Sequence, residues 1–280
     1  MQSCRDMKYF LSLLLSIAFF SLLGQQSLPG GQNYYDDGNA GIVYNKELTF
    51  DLKLITPRSF AFGVNVGQII SYDRTRFYSF DFGDLRNAQE YRQNFDYLFQ
   101  SFNRVSRAFV YAKQNSAFVL RAGIGEKRYF SEKAKNRGLA VGISYAAGID
   151  LGILKPYYLE LVRSQDPGTP SRRDFISEER YSVANESLFL NYNGNNILGA
   201  ASFSKGLNEI KVMPGFHLKA AAHFDWGAFD EFVKALEAGV LIDVFLKDVP
   251  IMVESSAIPN IQNRPLFFNF YLNLQLGKRW

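Results

Sequence analysis

His217 and His223 are the only two histidines of the chain, and an imidazole is the side chain best suited to move a proton or hold a metal near neutral pH. They lie six residues apart in one strand parity, roughly 20 Å at the rise of a strand, which is too far to ligate one ion. An acyl-transfer or acid–base site at an outer rim would also need a histidine there, and the pattern places none. The other chemistry-bearing groups that alternate with large apolar residues are Asp81, Arg121, Lys127, Glu160, Lys219, Glu237 and Asp243. Three are cations and four are carboxylates. Such a mixture fills and stiffens an enclosed space by pairing, whereas a ring of one sign would select ions. The expectation is a lumen charge network, with no catalytic residue, no cofactor and no metal, in a chain that is not an enzyme. Lys205-Gly206 and Gly30-Gly31 do not sit between a strand and a helix, so neither is a phosphate loop.

The elements that position these groups are strands. In the last fifteen residues, Leu266, Phe268, Phe270, Leu272, Leu274, Leu276 and Trp280 share one parity and Asn269, Tyr271, Asn273, Gln275 and Gly277 the other. A period of two sends successive side chains to opposite faces. A large apolar face backed by an amide-rich one suits a strand between lipid and a polar lumen, where trimming an amide such as Asn273 should be mild. Phe268, Phe270, Leu272, Leu274, Leu276 and the closing Trp280 resemble the C-terminal insertion signal of bacterial outer-membrane barrels. That resemblance implies the barrel-assembly machinery as a partner during insertion, and outer-membrane lipid and lipopolysaccharide afterwards.

Lys8 ahead of the apolar run 9–23, with Gly24 behind it, describes a secretory signal peptide over 1–24. Cys4, the only cysteine, would leave with it, so the mature chain offers no thiol chemistry. Residues 25–40 read as a periplasmic N-terminal segment and 41–280 as the barrel. The net charge of +4 becomes +3 once Arg5, Asp6 and Lys8 (together +1) are removed. The charge is scattered, which excludes a nucleic-acid-binding stripe. Hydrophobic residues make up 47% of the chain, yet no mature stretch is an uninterrupted apolar run of the ~18 residues a membrane helix needs.

About ten alternating segments follow one another, near 41–55, 59–70, 75–85, two flanking a turn at 114–116, 139–151, one centred on Tyr157, Leu159 and Leu161, then 210–224, 235–247 and the C-terminal strand. In the first, Ile42, Tyr44, Leu48, Phe50, Leu52 and Leu54 oppose Asn45, Glu47, Thr49, Asp51 and Lys53. A hairpin within 188–203 would raise the count to twelve. Outer-membrane barrels keep short turns on the periplasmic side and long loops outside. Short connections at 71–74, 114–116, 152–153 and 225–234, against long ones at 86–104, 164–209 and 248–264, match that rule with both termini periplasmic, the short outer turn Thr56-Pro57-Arg58 being the exception. A soluble barrel would put its large apolar groups inside and its charges outside. Here the second parity is rich in Gly, Ser, Asn and Ala, as a cramped lumen requires. Only 87–97 and 229–238 look mildly helical.

Several separated blocks resemble a family of small outer-membrane β-barrel proteins widespread in the Bacteroidota, whose activity is uncharacterised. They are Tyr72-Asp-Arg-Thr-Arg-Phe77-Tyr-Ser-Phe-Asp-Phe-Gly83, Gly152-Ile-Leu-Lys-Pro-Tyr-Tyr-Leu-Glu160, Lys205-Gly-Leu-Asn-Glu-Ile-Lys211, Pro214-Gly215 and the closing strand. The resemblance implies an all-β, antiparallel up-and-down transmembrane barrel in the outer membrane of a Gram-negative bacterium. The functional expectation is a structural or accessory subunit of an outer-membrane assembly, bound to other outer-membrane proteins. A narrow pore or small-solute transporter and a membrane-embedded hydrolase are the alternatives.

Overall fold

A computed structural model describes residues 44–71, 73–130, 139–165, 173–191, 196–226, 230–256, 258 and 261–280. The expected signal peptide, Cys4 and the segment 25–40 lie outside these residues. Eleven strands longer than two residues occur in them: β1 (Lys46–Ile55), β2 (Ser59–Ser71), β3 (Arg74–Leu85), β4 (Asn115–Tyr129), β5 (Ala140–Pro156), β6 (Tyr158–Gln165), β7 (Arg173–Arg180), β8 (Ile197–Ala200), β9 (Lys211–Asp225), β10 (Phe232–Phe245) and β11 (Leu266–Arg279).

Eight of them close into an antiparallel barrel in the order β1-β11-β10-β9-β5-β4-β3-β2. The barrel therefore has eight strands, where ten or twelve were expected. Two expected segments, near 104–113 and around Leu159, are not in the wall. Omitting the first reverses the direction expected of β4 and β5, and omitting the second restores it from β9 onward. Ser116 and Gly152, taken as turns, are interior to β4 and β5, and 130–139 is the true connection between those strands. The expected hairpin within 188–203 is instead a helical turn, Glu186–Phe189, followed by β8. Phe232 and its neighbours, read as mildly helical, begin β10.

The wall is inverted relative to a soluble barrel. Along β11, Phe268, Phe270, Leu272, Leu274 and Leu276 are exposed, while Asn269, Tyr271, Asn273, Gln275 and Arg279 are buried. The same division holds on β1, where Phe50, Leu52 and Leu54 face out and Glu47, Thr49, Asp51 and Lys53 face in. From Leu266 to Leu276 the outward face of β11 is apolar over eleven positions, about the number a tilted strand needs to cross a bilayer.

The described residues of three long connections, 86–114, 157–210 and 246–265, gather at the end of the barrel opposite the start of β1 and the end of β11 and fold into a lid. Within it β6 pairs with β7 on one side and β8 on the other. Backbone bonds stitch the three connections together: Arg107 N–H donates to Leu198 (2.6 Å), Gln114 N–H to Ile251 (2.8 Å) and Val253 N–H to Ala112 (2.8 Å). Its core unites Phe109, Leu159, Leu161, Phe189, Ile197, Ile251, Met252 and Val253 with Leu85, Ala117, Val119, Leu154 and Phe245 from the barrel strands. The inner face of the barrel thus changes from charged to apolar as it meets the lid.

Candidate functional site

The enclosed charges form three tiers along the barrel, each built from inward parity on several strands. At the terminal end, Arg279 donates through Nε to Glu47 (2.9 Å) and through Nη2 to Asp225 (2.8 Å). Lys127 reaches across from β4 to Glu47 (2.8 Å) and to the Gln275 amide oxygen (3.1 Å). The Tyr129 hydroxyl donates to Asp225 (3.2 Å) and lies 3.3 Å from His223 Nε2, whose Nδ1 is 3.0 Å from Glu237.

In the middle tier Lys53 lies between Asp81 (2.5 Å) and Asp51 (3.3 Å), and Lys219 approaches Asp81 at 3.7 Å. Asn273 donates to Asp51 (2.9 Å) and to Glu237 (3.0 Å), tying the two lower tiers together. The same NH₂ separates two carboxylates, so the structure predicts a larger cost for trimming Asn273 than the mild change expected of a lumen amide. The Phe77 ring lies between two ammonium groups, Lys219 at 5.5 Å and Lys127 at 5.7 Å.

Nearest the lid, Arg121 grips Asp243 with both ends of its fork, at 2.7 and 2.9 Å, the geometry that suits a guanidinium best. Asp150 meets His217 Nδ1 at 2.6 Å. The imidazole of His217 lies across Gly123 and Gly148, which face each other in register. A Cβ on Gly123 would come within 2.9 Å of Nε2 and one on Gly148 within 2.7 Å of Cε1. These glycines are small so that the ring can occupy the lumen.

Of the residues singled out from sequence, Asp81, Arg121, Lys127, Lys219, Glu237 and Asp243 are buried inside the barrel. Glu160 is not: it sits on β6 in the lid, where it pairs with Arg107. The apolar partners of Glu160 in the alternation, Leu159 and Leu161, are fully buried in the lid core, opposite to the exposed apolar residues of the wall. Glu47, Asp51, Lys53, Asp150, Asp225 and Arg279 also lie inside and were not singled out, although each has the inward parity of its strand. Among the described residues the set is five cations and seven carboxylates, with two histidines that contact Asp150 and Glu237. Phe268, Phe270, Leu272, Leu274, Leu276 and Trp280 all face outward. The two histidines fall in separate tiers, and no cluster of three or more His, Cys, Asp or Glu suited to a metal occurs among the described residues.

No protein-family model matches the chain, and no curated protein matches it. Among solved structures it is similar to the N-terminal β-barrel domain of Pseudomonas aeruginosa OprF (8% identity, TM-score 0.31, 85% of this chain and 98% of that one). It is also similar to Neisserial surface protein A (6%, 0.37, 84% and 95%) and to Ail, the attachment invasion locus protein of Yersinia pestis (7%, 0.34, 84% and 97%). At these identities and TM-scores the likeness establishes no family and no activity.

Proposed function

We propose that this chain is an outer-membrane β-barrel that acts as a structural or accessory subunit of an outer-membrane assembly, with its termini in the periplasm and its lid outside. The membrane reading rests on the wall. Phe50, Phe62, Phe80, Ile149, Phe216 and Phe270 project at 57 to 62% exposure from six different strands, a contiguous apolar surface that water does not tolerate and hydrocarbon does. The periplasmic placement of the termini follows from the short turns beside them and the long connections opposite.

The observation that carries the structural role is the interior. Paired charges fill the barrel from the terminal end to the His217–Asp150 tier, and above it Phe245 lies over Gly152 and Gly215 beneath the lid core. This supports a rigid plug over a conducting lumen. The lid offers a folded platform with exposed Tyr91, Phe95, Tyr97, Leu98 and Val105, aromatic and aliphatic groups of the kind that anchor protein interfaces. The test is reconstitution into planar bilayers together with recovery of the tagged chain from its own membranes in mild detergent. The proposal expects a silent bilayer and stoichiometric co-purification of another outer-membrane protein. Stepwise conductance from the unmodified protein would refute it in favour of a pore.

A further inference from the structure

On the outer wall a groove of ≈ 440 Å³ runs across the strands from Arg76 past Ile124, Glu126 and Tyr145 to Ala220 and Val240. Arg76, Glu126, Tyr145, Ala220 and Val240 are consecutive partners across β3, β4, β5, β9 and β10, so the groove follows one register row. Barrel strands tilt by ~35–45°, and such a row therefore climbs obliquely through the membrane from its Arg76 end. That end is low: Arg76 lies two residues into β3, roughly 7 Å along the strand from the terminal rim.

The chemistry of the groove changes along its length. At the rim, Glu126 accepts from Arg128 (2.6 Å), from Tyr145 (3.1 Å) and faces Arg74 at 3.2 Å. Arg76 is exposed and its side chain makes no hydrogen bond or ion pair among the described residues. Three guanidiniums against one carboxylate leave a charge of +2 at this corner. Farther up, the lining is alkyl: Leu218, Ala220, Val240 and Ile242. A cation on a lipid-facing strand just below an apolar wall needs a counter-anion at headgroup level.

We propose that this groove holds one acyl chain of an anionic glycerophospholipid, with its phosphate on Arg76 beside Arg74 and Arg128. The proposal rests on the membrane reading given above, and it concerns the leaflet at the terminal end. The excess of two positive charges favours an anionic headgroup over a zwitterionic one, and the oblique alkyl row leads directly from the phosphate into hydrocarbon.

Native mass spectrometry of the purified barrel in neutral detergent tests this, with phosphatidylglycerol, phosphatidylcholine, lipid A and inorganic phosphate titrated separately. One phosphatidylglycerol adduct is expected to survive detergent removal. Arg76→Gln should lower its occupancy on the order of tenfold, the worth of a charge-assisted contact. Ala220→Trp, which fills the groove, should abolish the adduct, whereas Lys278→Gln, a rim cation paired with Glu231, should leave it unchanged. Equal retention of phosphatidylcholine, preference for lipid A, binding of phosphate alone with comparable strength, or indifference to Arg76→Gln would each overturn the assignment. Heat-modifiable migration on gels, read in parallel, separates the two levels. A folded, membrane-inserted barrel without the adduct refutes only the lipid site, while an unmodified chain that is never membrane-inserted refutes the membrane reading beneath it.

Discussion

Replacing Arg121 with Met tests whether the barrel interior is a dry, paired solid. The guanidinium makes two bonds to Asp243, at 2.7 and 2.9 Å, between side chains that are 2% and 0% exposed. Two unit charges about 4 Å apart interact by about 4 kcal/mol at the effective dielectric of a protein site. Asp150 also acts on both Arg121 and Asp243, so removing the cation leaves two buried carboxylates repelling one another. Arg121→Met should therefore destabilise the barrel by about 3–5 kcal/mol, the usual cost of breaking a buried pair from one side. Arg121→Met/Asp243→Leu removes both charges and should recover at least half of that loss, since apolar replacement of a whole buried pair is often neutral. Urea unfolding in detergent micelles, scored by the heat-modifiable gel shift, measures all four corners of the cycle. Losses that add to within about 0.5 kcal/mol would refute the reasoning, because independent charges in a water-filled lumen have nothing to restore.

The same assay checks the facing of β11: Phe270→Arg or Leu272→Arg should cost about 2–4 kcal/mol or block insertion, and unchanged unfolding would reverse the assigned faces. Asn273→Ser should cost about 1.5–3 kcal/mol, because its amide serves two carboxylates; a value near zero would mean water replaces it freely. Gly148→Val should yield no heat-modifiable form, since a Cβ there already meets the Ala122 carbonyl oxygen at 2.1 Å and the His217 ring at 2.7 Å. In the lid, Glu179 is held down to about 2, from an ordinary 4.5, chiefly by its hydrogen bonds from Arg163 and also by that from Asn185. A carboxylate with a depressed folded-state value stabilises above its unfolded value and loses that contribution as it protonates. Lid opening, followed by hydrogen exchange in 158–180, should therefore rise between pH 4.5 and 2, and Glu179→Gln should flatten that rise. A variant that keeps the wild-type pH profile would exclude Glu179 as its source.

The parity of β1 and β11 was legible because large apolar groups on one face and ion pairs on the other write opposite chemistries at alternate positions. Period two reports that a strand has one apolar face, but not what covers it. Around Leu159 and Leu161 the cover is the lid core, so a lid strand read as a wall strand and Glu160 was carried inside with it. Glu47, Asp51 and Lys53 announce themselves by parity, as do Asp150, Asp225 and Arg279, once the full lengths of the strands are known. Their partners do not, because pairing depends on register and closure. Lys127 and Glu47 are eighty residues apart and meet only across the closed barrel.

The lid core draws Leu85, Ala117, Val119, Leu154 and Phe245 from four different barrel strands, and this fixes an order of events. The barrel's share of that core, five of its fifteen buried residues, does not exist as a surface until β3, β4, β5 and β10 have taken their places in the wall. In the membrane placement proposed above, the connections 86–114, 157–210 and 246–265 would accordingly cross the bilayer as unstructured chain and fold on the far side, with the nascent rim as their template. Nothing with a prefolded domain in these connections would follow the same route. The stability gained there is also withheld until crossing is complete, so lid folding acts as a latch that makes insertion one-way.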